Sequence, residues 1–141
     1  MKKLYLLLLP LLFMLAAGCS KDFLKSYDDR LDGGTWTLND VNSIGIGSRY
    51  SLAFTSGSFQ FFDNGQLEYV DGQGNLYQGS WNIRKEYLSD GTRRQLHISA
   101  VNFQTQEVIS EIFDDMQFTG TNRFKAFIYA GTRTYTFKFK R

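Results

Sequence analysis

Residues 134–140 read TYTFKFK, a strict alternation of aromatic and polar side chains. Successive side chains of a β-strand point to opposite faces of the sheet, so Tyr135, Phe137 and Phe139 would share one face. Thr and Lys would cover the other face, which is typical of an antiparallel strand with one side in the core and one in water. The alternation predicts a half-buried strand over Thr134–Lys140.

The chain from Gly34 onward consists of similar short segments separated by turns. Runs rich in aromatic and β-branched residues alternate with turns rich in Gly, Asn and Asp, which reach positive φ at low cost. The connections are short, so successive strands should be antiparallel neighbours in a meander. The other predicted strands are Thr35–Val41, Tyr50–Thr55, Ser58–Phe62, Gln66–Val70, Leu76–Arg84, Gln95–Phe103, Val108–Thr119 and Arg123–Tyr129.

Residues 107–117 fit two interpretations. Val108, Ile112 and Met116 are spaced as on one face of a helix, with acidic residues on the other side. The same residues also suit a strand, and periodicity alone does not decide between the two for a short apolar run. We favour the strand and keep the amphipathic helix as the alternative.

Length and composition limit the classes of protein. A chain of 141 residues with 43% hydrophobic and 21% charged residues is typical of one globular domain. One Cys and one His exclude an internal disulfide framework and a zinc site built from three or four nitrogen and sulfur ligands.

The amino terminus has the features of a secretory signal. Two lysines precede an apolar run from Leu4 to Ala17, which is shorter than the roughly 20 residues that a membrane-spanning helix needs. The run ends in LAAGC at residues 15–19. This ending resembles the lipobox of bacterial lipoproteins, which implies cleavage before Cys19 and acylation of that cysteine.

Several acyl chains on one residue make a stable membrane anchor. Ser20 follows the cysteine where an Asp would favour retention in the inner membrane, so we expect an outer-membrane lipoprotein of the cell envelope. The predicted organisation is a cleaved signal peptide over 1–18, a lipidated tether over 19–33 and a domain over 34–141. Loss of residues 1–18 would remove two of the 16 basic residues and lower the formal charge from +2 to zero.

The tether itself has two interpretations. Half of the residues from Ser20 to Gly33 are charged, which favours a solvated linker. A short helix near Asp22–Leu31 is the alternative, because apolar residues recur there at helical spacing.

Two blocks carry a resemblance for the domain. Gly34-Thr35-Trp36 opens the first predicted strand, and Gly79-Ser80-Trp81 repeats the pattern. With FDNGQLEY at 62–69 and the basic, aromatic end at 121–141, the order of motifs resembles the small lipocalin-like lipoproteins of bacterial envelopes. The resemblance implies an all-β fold, an up-and-down antiparallel β-barrel of about eight strands. It also implies that Arg141 covers Trp36.

The aromatic residues have two candidate roles. Gly permits a close backbone approach and Trp can then cover an end of the barrel, which would make Gly34, Trp36, Gly79 and Trp81 structural. Alternatively, aromatic side chains line a cup for a small apolar or amphipathic ligand. The candidates for that lining are Trp36, Phe54, Phe61, Tyr69, Trp81, Phe124 and Phe137.

Catalytic and metal sites find little support in the sequence. His97 alternates with two apolar neighbours, so it is expected on the outer face, and no Gly-x-Ser-x-Gly elbow accompanies it. Asp71, Gln73 and Asn75 alternate as in a calcium loop, but the downstream Glu of such loops is missing. We therefore expect a hairpin turn there, and neither an enzyme, a metal nor a cofactor.

Charged residues cluster twice near the carboxyl end. An acidic group at 107–115 includes Glu107, Glu111, Asp114 and Asp115, and we interpret it as a solvated face rather than a hydrolytic carboxylate pair. A basic group without acids follows, and it would suit lipid phosphates or an anionic glycan, or simply a charged outer face. Its members are Arg123, Lys125, Arg133, Lys138, Lys140 and Arg141.

Two functions are predicted. The first is an envelope lipoprotein whose barrel binds a small apolar or amphipathic ligand. The alternative is a non-enzymatic module that docks an envelope protein or glycan-handling assembly through its outer surface. The expected partners are the membrane through acylated Cys19 and, according to the function, the ligand or the envelope protein. Nucleic acid is not expected at zero net charge outside the cytoplasm.

Overall fold

The computed structural model describes residues 25–141. The predicted signal peptide and Cys19 lie outside the described residues. The described part contains one helix and nine strands, numbered in chain order. They are α1 (Tyr27–Leu31), β1 (Thr35–Gly45), β2 (Ser58–Phe61), β3 (Gln66–Val70), β4 (Leu76–Leu88), β5 (Gly91–Val101), β6 (Val108–Phe113), β7 (Asp115–Gly120), β8 (Arg123–Ala130) and β9 (Arg133–Lys140).

The all-β prediction is confirmed, because the strands of residues 25–141 form one antiparallel sheet in the order β6-β5-β4-β3-β2-β1-β9-β8-β7. The alternating aromatic residues of β9 face inward as predicted, with Phe137 and Phe139 buried and Lys140 exposed. Their rings pack on the neighbouring strand β8 and, across the core, on β6. Phe139 stacks on Phe124 of β8 with 4.3 Å between ring centroids, and Phe113 of β6 meets Phe137 edge to face at 4.9 Å.

The sheet is not closed into a barrel, which corrects the expectation of a closed barrel of about eight strands. Its two edge strands, β6 and β7, follow each other in the chain and are separated by Asp114. β6 pairs with β5, whereas β7 pairs with β8. The segment changes partner at Asp114, so β6 and β8 lie without a hydrogen-bonded ladder between them. This segment is strand on both sides of Asp114, and the helical alternative is wrong.

The sheet has two distinct ends. The helix end carries α1, the turn at 62–65 and the turn at 121–122. The loop end carries a loop at 46–57 (the β1–β2 loop), the turn at 71–75, the loop at 102–107 and the turn at 131–132. The predicted strand Tyr50–Thr55 is wrong because it falls within the β1–β2 loop, whose backbone N–H groups at Tyr50 and Ala53 donate to side chains rather than to a neighbouring strand.

Helix α1 closes the helix end. Ser26 caps it by accepting a hydrogen bond from the backbone N–H of Asp29 at 3.2 Å. Leu31, the last residue of α1, is fully buried in the core. The packed part of the chain therefore begins before residue 34, and the helix at Tyr27–Leu31 agrees with the helical alternative for that segment rather than with a solvated linker.

Candidate functional site

The seven candidate ligand-lining aromatics are all buried, with at most 6% of any side chain exposed. They do not surround one cup. Trp36, Trp81 and Phe124 belong to the helix end, whereas Phe54 and Tyr69 belong to the loop end. Each packs against neighbouring rings, as Phe61 does against Trp81 at 5.4 Å between centroids. All seven belong to one core cluster that extends from the helix end to the loop end.

Trp36 is held between α1 and the Arg141 side chain. Its indole Nε1 donates to the carbonyl of Leu31 at 2.8 Å, and the Arg141 guanidinium lies 4.4 Å from its ring centroid. Arg141 Nη2 also donates to the carbonyls of Arg30 and Asp32 at 3.1 and 2.8 Å. This is the arrangement that the resemblance implies, and it makes Trp36 a structural plug of the helix end.

An added side chain would clash with backbone at Gly79 and would displace the Arg141 side chain at Gly34. A Cβ at Gly34 would lie 2.5 Å from the Arg141 side chain, and a Cβ at Gly79 would lie 1.9 Å from the carbonyl oxygen of Ser99 on β5. Trp81 is buried beside Gly79, and its Nε1 donates to the carbonyl of Phe62 at 3.0 Å. Both Gly-x-Trp blocks therefore serve close packing.

Replacing Arg141 with Ala should weaken the contacts that hold Trp36 against the end of α1. The change removes hydrogen bonds from a charged donor and a cation–π contact, so we expect the free energy of unfolding to fall by about 2 kcal/mol. Lys140→Ala is the matched control, because Lys140 is exposed on the neighbouring position. Urea denaturation followed by circular dichroism measures both, and equal values for the two variants would contradict the closing role of Arg141.

The loop end is filled from the β1–β2 loop. Phe54 is fully buried although the residues around it form no regular structure. Its ring lies edge to face against Tyr69 and Phe59, with centroids 4.9 and 5.3 Å apart. The loop ends at Gly57, which has a φ of 108° and leaves no room for a Cβ beside the Val70 carbonyl. A loop side chain thus occupies space between the strands.

Glu111 of β6 fastens this loop. Its side chain points inward and is only 5% exposed. One carboxylate oxygen accepts a hydrogen bond from the Tyr50 hydroxyl and the other from the Ala53 backbone N–H, each at 3.2 Å. The Tyr50 backbone N–H donates to the Tyr135 hydroxyl at 2.7 Å. Other polar contacts hold the end of the loop that follows Phe54, where the Tyr69 hydroxyl donates to the Ser56 carbonyl at 2.8 Å and the Leu38 N–H donates to the Gly57 carbonyl at 2.9 Å.

Open grooves flank the β1–β2 loop, and two of them lie beside the side chains that the loop contacts. The β3–β4 groove, of about 530 Å³, is lined by Tyr69, Asp71, Tyr77 and Glu107 among others. The β6–β8 groove, of about 660 Å³, occupies the place where β6 and β8 are not paired. Its lining consists of Tyr50, Gln95, Ser110, Glu111, Ile112, Asp114, Ile128, Tyr129 and Ala130.

The turn that borders the β3–β4 groove uses its polar groups internally. Asp71 accepts hydrogen bonds from the backbone N–H groups of Gln73 and Asn75, each at 2.8 Å, and from the Asn75 side chain at 2.7 Å. These bonds hold the pKa of Asp71 below its usual value, the Asn75 side chain contributing most. The predicted hairpin turn is present, and its carboxylate is committed to the turn.

Tyrosines around the loop end resist ionisation. Burial is the main cause that raises the pKa of Tyr69 to about 12, and the charge of Asp71 adds to it. The nearby Glu111 carboxylate raises the pKa of Tyr50, and the hydrogen bond to Glu107 raises that of Tyr77. Burial and single neighbouring carboxylates thus both favour the neutral hydroxyl and raise the pKa of these tyrosines.

Alkaline pH should loosen the loop end. The folded-state pKa of Tyr69 lies above the ordinary value of 10.0, so its contribution to stability is fully present below pH 10 and is lost as pH rises through about 12. We expect the free energy of unfolding to decline over this interval and to decline less in Tyr69→Phe. Denaturation at a series of pH values, with tyrosinate absorbance, measures this, and identical pH profiles would contradict it.

The remaining charged candidates occupy separate places. His97 of β5 lies on the outer face as predicted, half-buried, and burial lowers its pKa. The prediction of a solvated acidic face is wrong, because Glu111 and Asp115 are buried. Asp115 accepts hydrogen bonds from the backbone N–H groups of Arg94 and Met116.

Sequence reasoning missed the role of Glu111 and of the β1–β2 loop. In strand alternation, Glu111 shares a face with Ile109 and Phe113, and this was the available signal that its carboxylate points inward. The prediction of a solvated Glu111 considered only that the side chain is acidic.

Comparison of the chain with protein-family models, with curated proteins and with solved structures found no match. Within residues 25–141, no helix is both long and apolar enough to cross a membrane. The same residues contain no group of three or more His, Cys, Asp or Glu side chains placed to hold a metal ion.

Proposed function

We propose that this protein is a non-enzymatic lipoprotein of the bacterial outer membrane that takes up a small amphipathic ligand at its loop end. The observation that carries the proposal is the burial of Phe54, a loop residue, among rings of the sheet. Core rings are normally supplied by strands. A ring supplied by an irregular loop leaves a ligand-sized space when the loop moves.

The attachment of the loop supports this view. Apart from residues 52–54 and Gly57, the loop residues are exposed, and loops with few buried apolar contacts open at low free energy. The space beneath Phe54 is walled by Phe59 and Tyr69. An apolar group of similar size would replace the contacts that the phenyl ring loses, because dry apolar cavities bind such molecules.

The proposed anchor orients this site. Lys25 is six residues after Cys19, a span of at most about 20 Å in extended chain. The described chain starts at the helix end, next to α1. An acylated Cys19 would therefore hold the helix end near the bilayer and leave the loop end directed away from it, open to solutes.

Native mass spectrometry tests ligand uptake. The full chain is mixed with a lipid and metabolite extract of bacterial envelopes, and we expect an adduct of fixed mass. Phe54→Trp, which enlarges the ring that fills the space, should reduce the adduct, whereas Phe103→Trp, at an exposed loop position, should not. A bare protein under every condition would contradict the proposal.

Membrane fractionation tests the anchor separately. In a bacterial host supplied with labelled fatty acid, the full chain should carry label and sediment with membranes. Cys19→Ser should lose the label. An unlabelled wild-type chain would contradict lipidation while leaving the ligand site open to its own test.

The second candidate function, docking of an acidic envelope partner, is favoured by the outer face of β8 and β9. Arg123 lies opposite Lys140, and Lys125 lies opposite Lys138. Directly opposed like charges destabilise a sheet, and Asp40 neutralises only Lys138, at 2.8 Å. Binding of dextran sulfate that is lost in Lys125→Gln/Lys140→Gln would support this function.

A further inference from the structure

The chemistry around Glu111 indicates which head group the ligand carries. The hydrogen bonds that Glu111 accepts come from Tyr50 and Ala53 of the β1–β2 loop and from the backbone N–H of Ile112 at 3.3 Å. None of these three hydrogen bonds comes from a Lys, Arg or His side chain. The β1–β2 loop thus supplies both donors from outside its own strand.

Movement of the loop would leave this carboxylate short of partners. When Tyr50 and Ala53 withdraw, Glu111 keeps only the Ile112 N–H. A largely buried carboxylate without hydrogen bonds or a counter-charge is costly. A molecule that displaces the loop must therefore bring donors or positive charge to this position.

The rest of the β6–β8 groove suits a cation with an apolar neighbour. Tyr129, which does not belong to the loop, contributes an aromatic ring, and Asp114 contributes a second carboxylate. Asp114 Oδ2 accepts from the Tyr129 backbone N–H at 2.7 Å, which fixes it at the groove. Carboxylates beside aromatic rings are the combination that binds ammonium groups in proteins.

The Tyr129 ring already has a cation beside it, although this cation does not line the groove. The Arg93 guanidinium lies 5.3 Å from the centroid of the Tyr129 ring. The apolar Ile112 and Ile128 line the same groove.

We propose that the ligand is an amphipathic amine whose ammonium group pairs with Glu111 in the β6–β8 groove and whose apolar part replaces the Phe54 ring. Ala53 bonds to Glu111 and is adjacent to Phe54 in the chain, so one short molecule can reach both positions. This inference rests on the proposed ligand-binding function. An amphiphile with a carboxylate head would meet the charges of Glu111 and Asp114 and be rejected.

Calorimetric titration of the full chain with octylamine, octanol and octanoate tests the inference, because the three probes differ only in head group. We expect octylamine to bind at least about tenfold more tightly than octanol, and octanoate to bind most weakly. Glu111→Gln should remove the preference for the amine. Glu107→Gln, at the β3–β4 groove, is the matched control and should keep it.

A second variant keeps the inference testable if Glu111→Gln fails to fold. Tyr50→Phe removes a hydroxyl that competes for Glu111, so octylamine should bind several-fold more tightly to it than to the wild-type chain, by roughly the worth of one hydrogen bond. Equal affinities of octylamine and octanol would overturn the amine inference but support ligand binding. No binding of any probe, to the wild-type chain or to Tyr50→Phe, would overturn both.

Discussion

Phe59→Ala should lower the free energy of unfolding by about 3–5 kcal/mol, the usual cost of truncating a buried Phe. Phe59 lies on β2, is fully buried and packs against Tyr69 and Phe139 with ring centroids 4.5 and 5.5 Å apart. Its strand is paired on both sides, so the surrounding sheet has little freedom to collapse into the cavity.

Phe54→Ala is the matched variant, because the two rings are equally buried and touch each other. Phe54 belongs to a loop that can withdraw, so its truncation should cost less, about 1–3 kcal/mol for a site that relaxes. Urea denaturation of both variants measures the difference. Equal losses would mean that the β1–β2 loop is as firmly built into the core as a strand.

Trp36→Ala should destabilise the helix end by a similarly large amount, about 3–5 kcal/mol. The indole fills the core beside Phe124, with ring centroids 4.9 Å apart, and its removal also leaves Arg141 without the ring on which it lies. Trp36→Phe keeps part of the packing but loses the hydrogen bond to Leu31, so it should cost about 1–3 kcal/mol.

A double-mutant cycle tests whether Trp36 and Arg141 stabilise the helix end through the same contacts. Trp36→Ala and Arg141→Ala act on one set of contacts, so their effects should not add. Denaturation of the double variant should show a loss smaller than the sum of the single losses. Strict additivity would contradict a direct role of Arg141 in holding Trp36.

The sheet was predictable because its signals are local. Alternation at Thr134–Lys140 and the turn at 71–75 depend on neighbours in the chain, and both agree with the structure. The observed strand Gln66–Val70 coincides with its prediction for the same reason.

The gap between β6 and β8 and the position of the β1–β2 loop depend on contacts between residues that are far apart in the chain. Tyr50 looks like a strand residue by propensity, and its hydrogen bonds to Glu111 and Tyr135, far along the chain, hold it in a loop. Likewise, Asp114 breaks a run that reads as one strand, because Asp114 bonds to β8 while β6 remains on β5. The candidate site lies where these long-range contacts meet, so sequence patterns did not reveal it.

Hydrogen exchange at the β1–β2 loop tests the central claim most directly. The backbone N–H groups of Tyr50 and Ala53 are bonded to side chains, and those of β9 are bonded within the sheet. We predict that the two loop groups exchange through local opening, at a free energy well below that of β9. We also predict that octylamine speeds their exchange while β9 is unchanged. Exchange of loop and strand together, only on global unfolding, would contradict a displaceable loop.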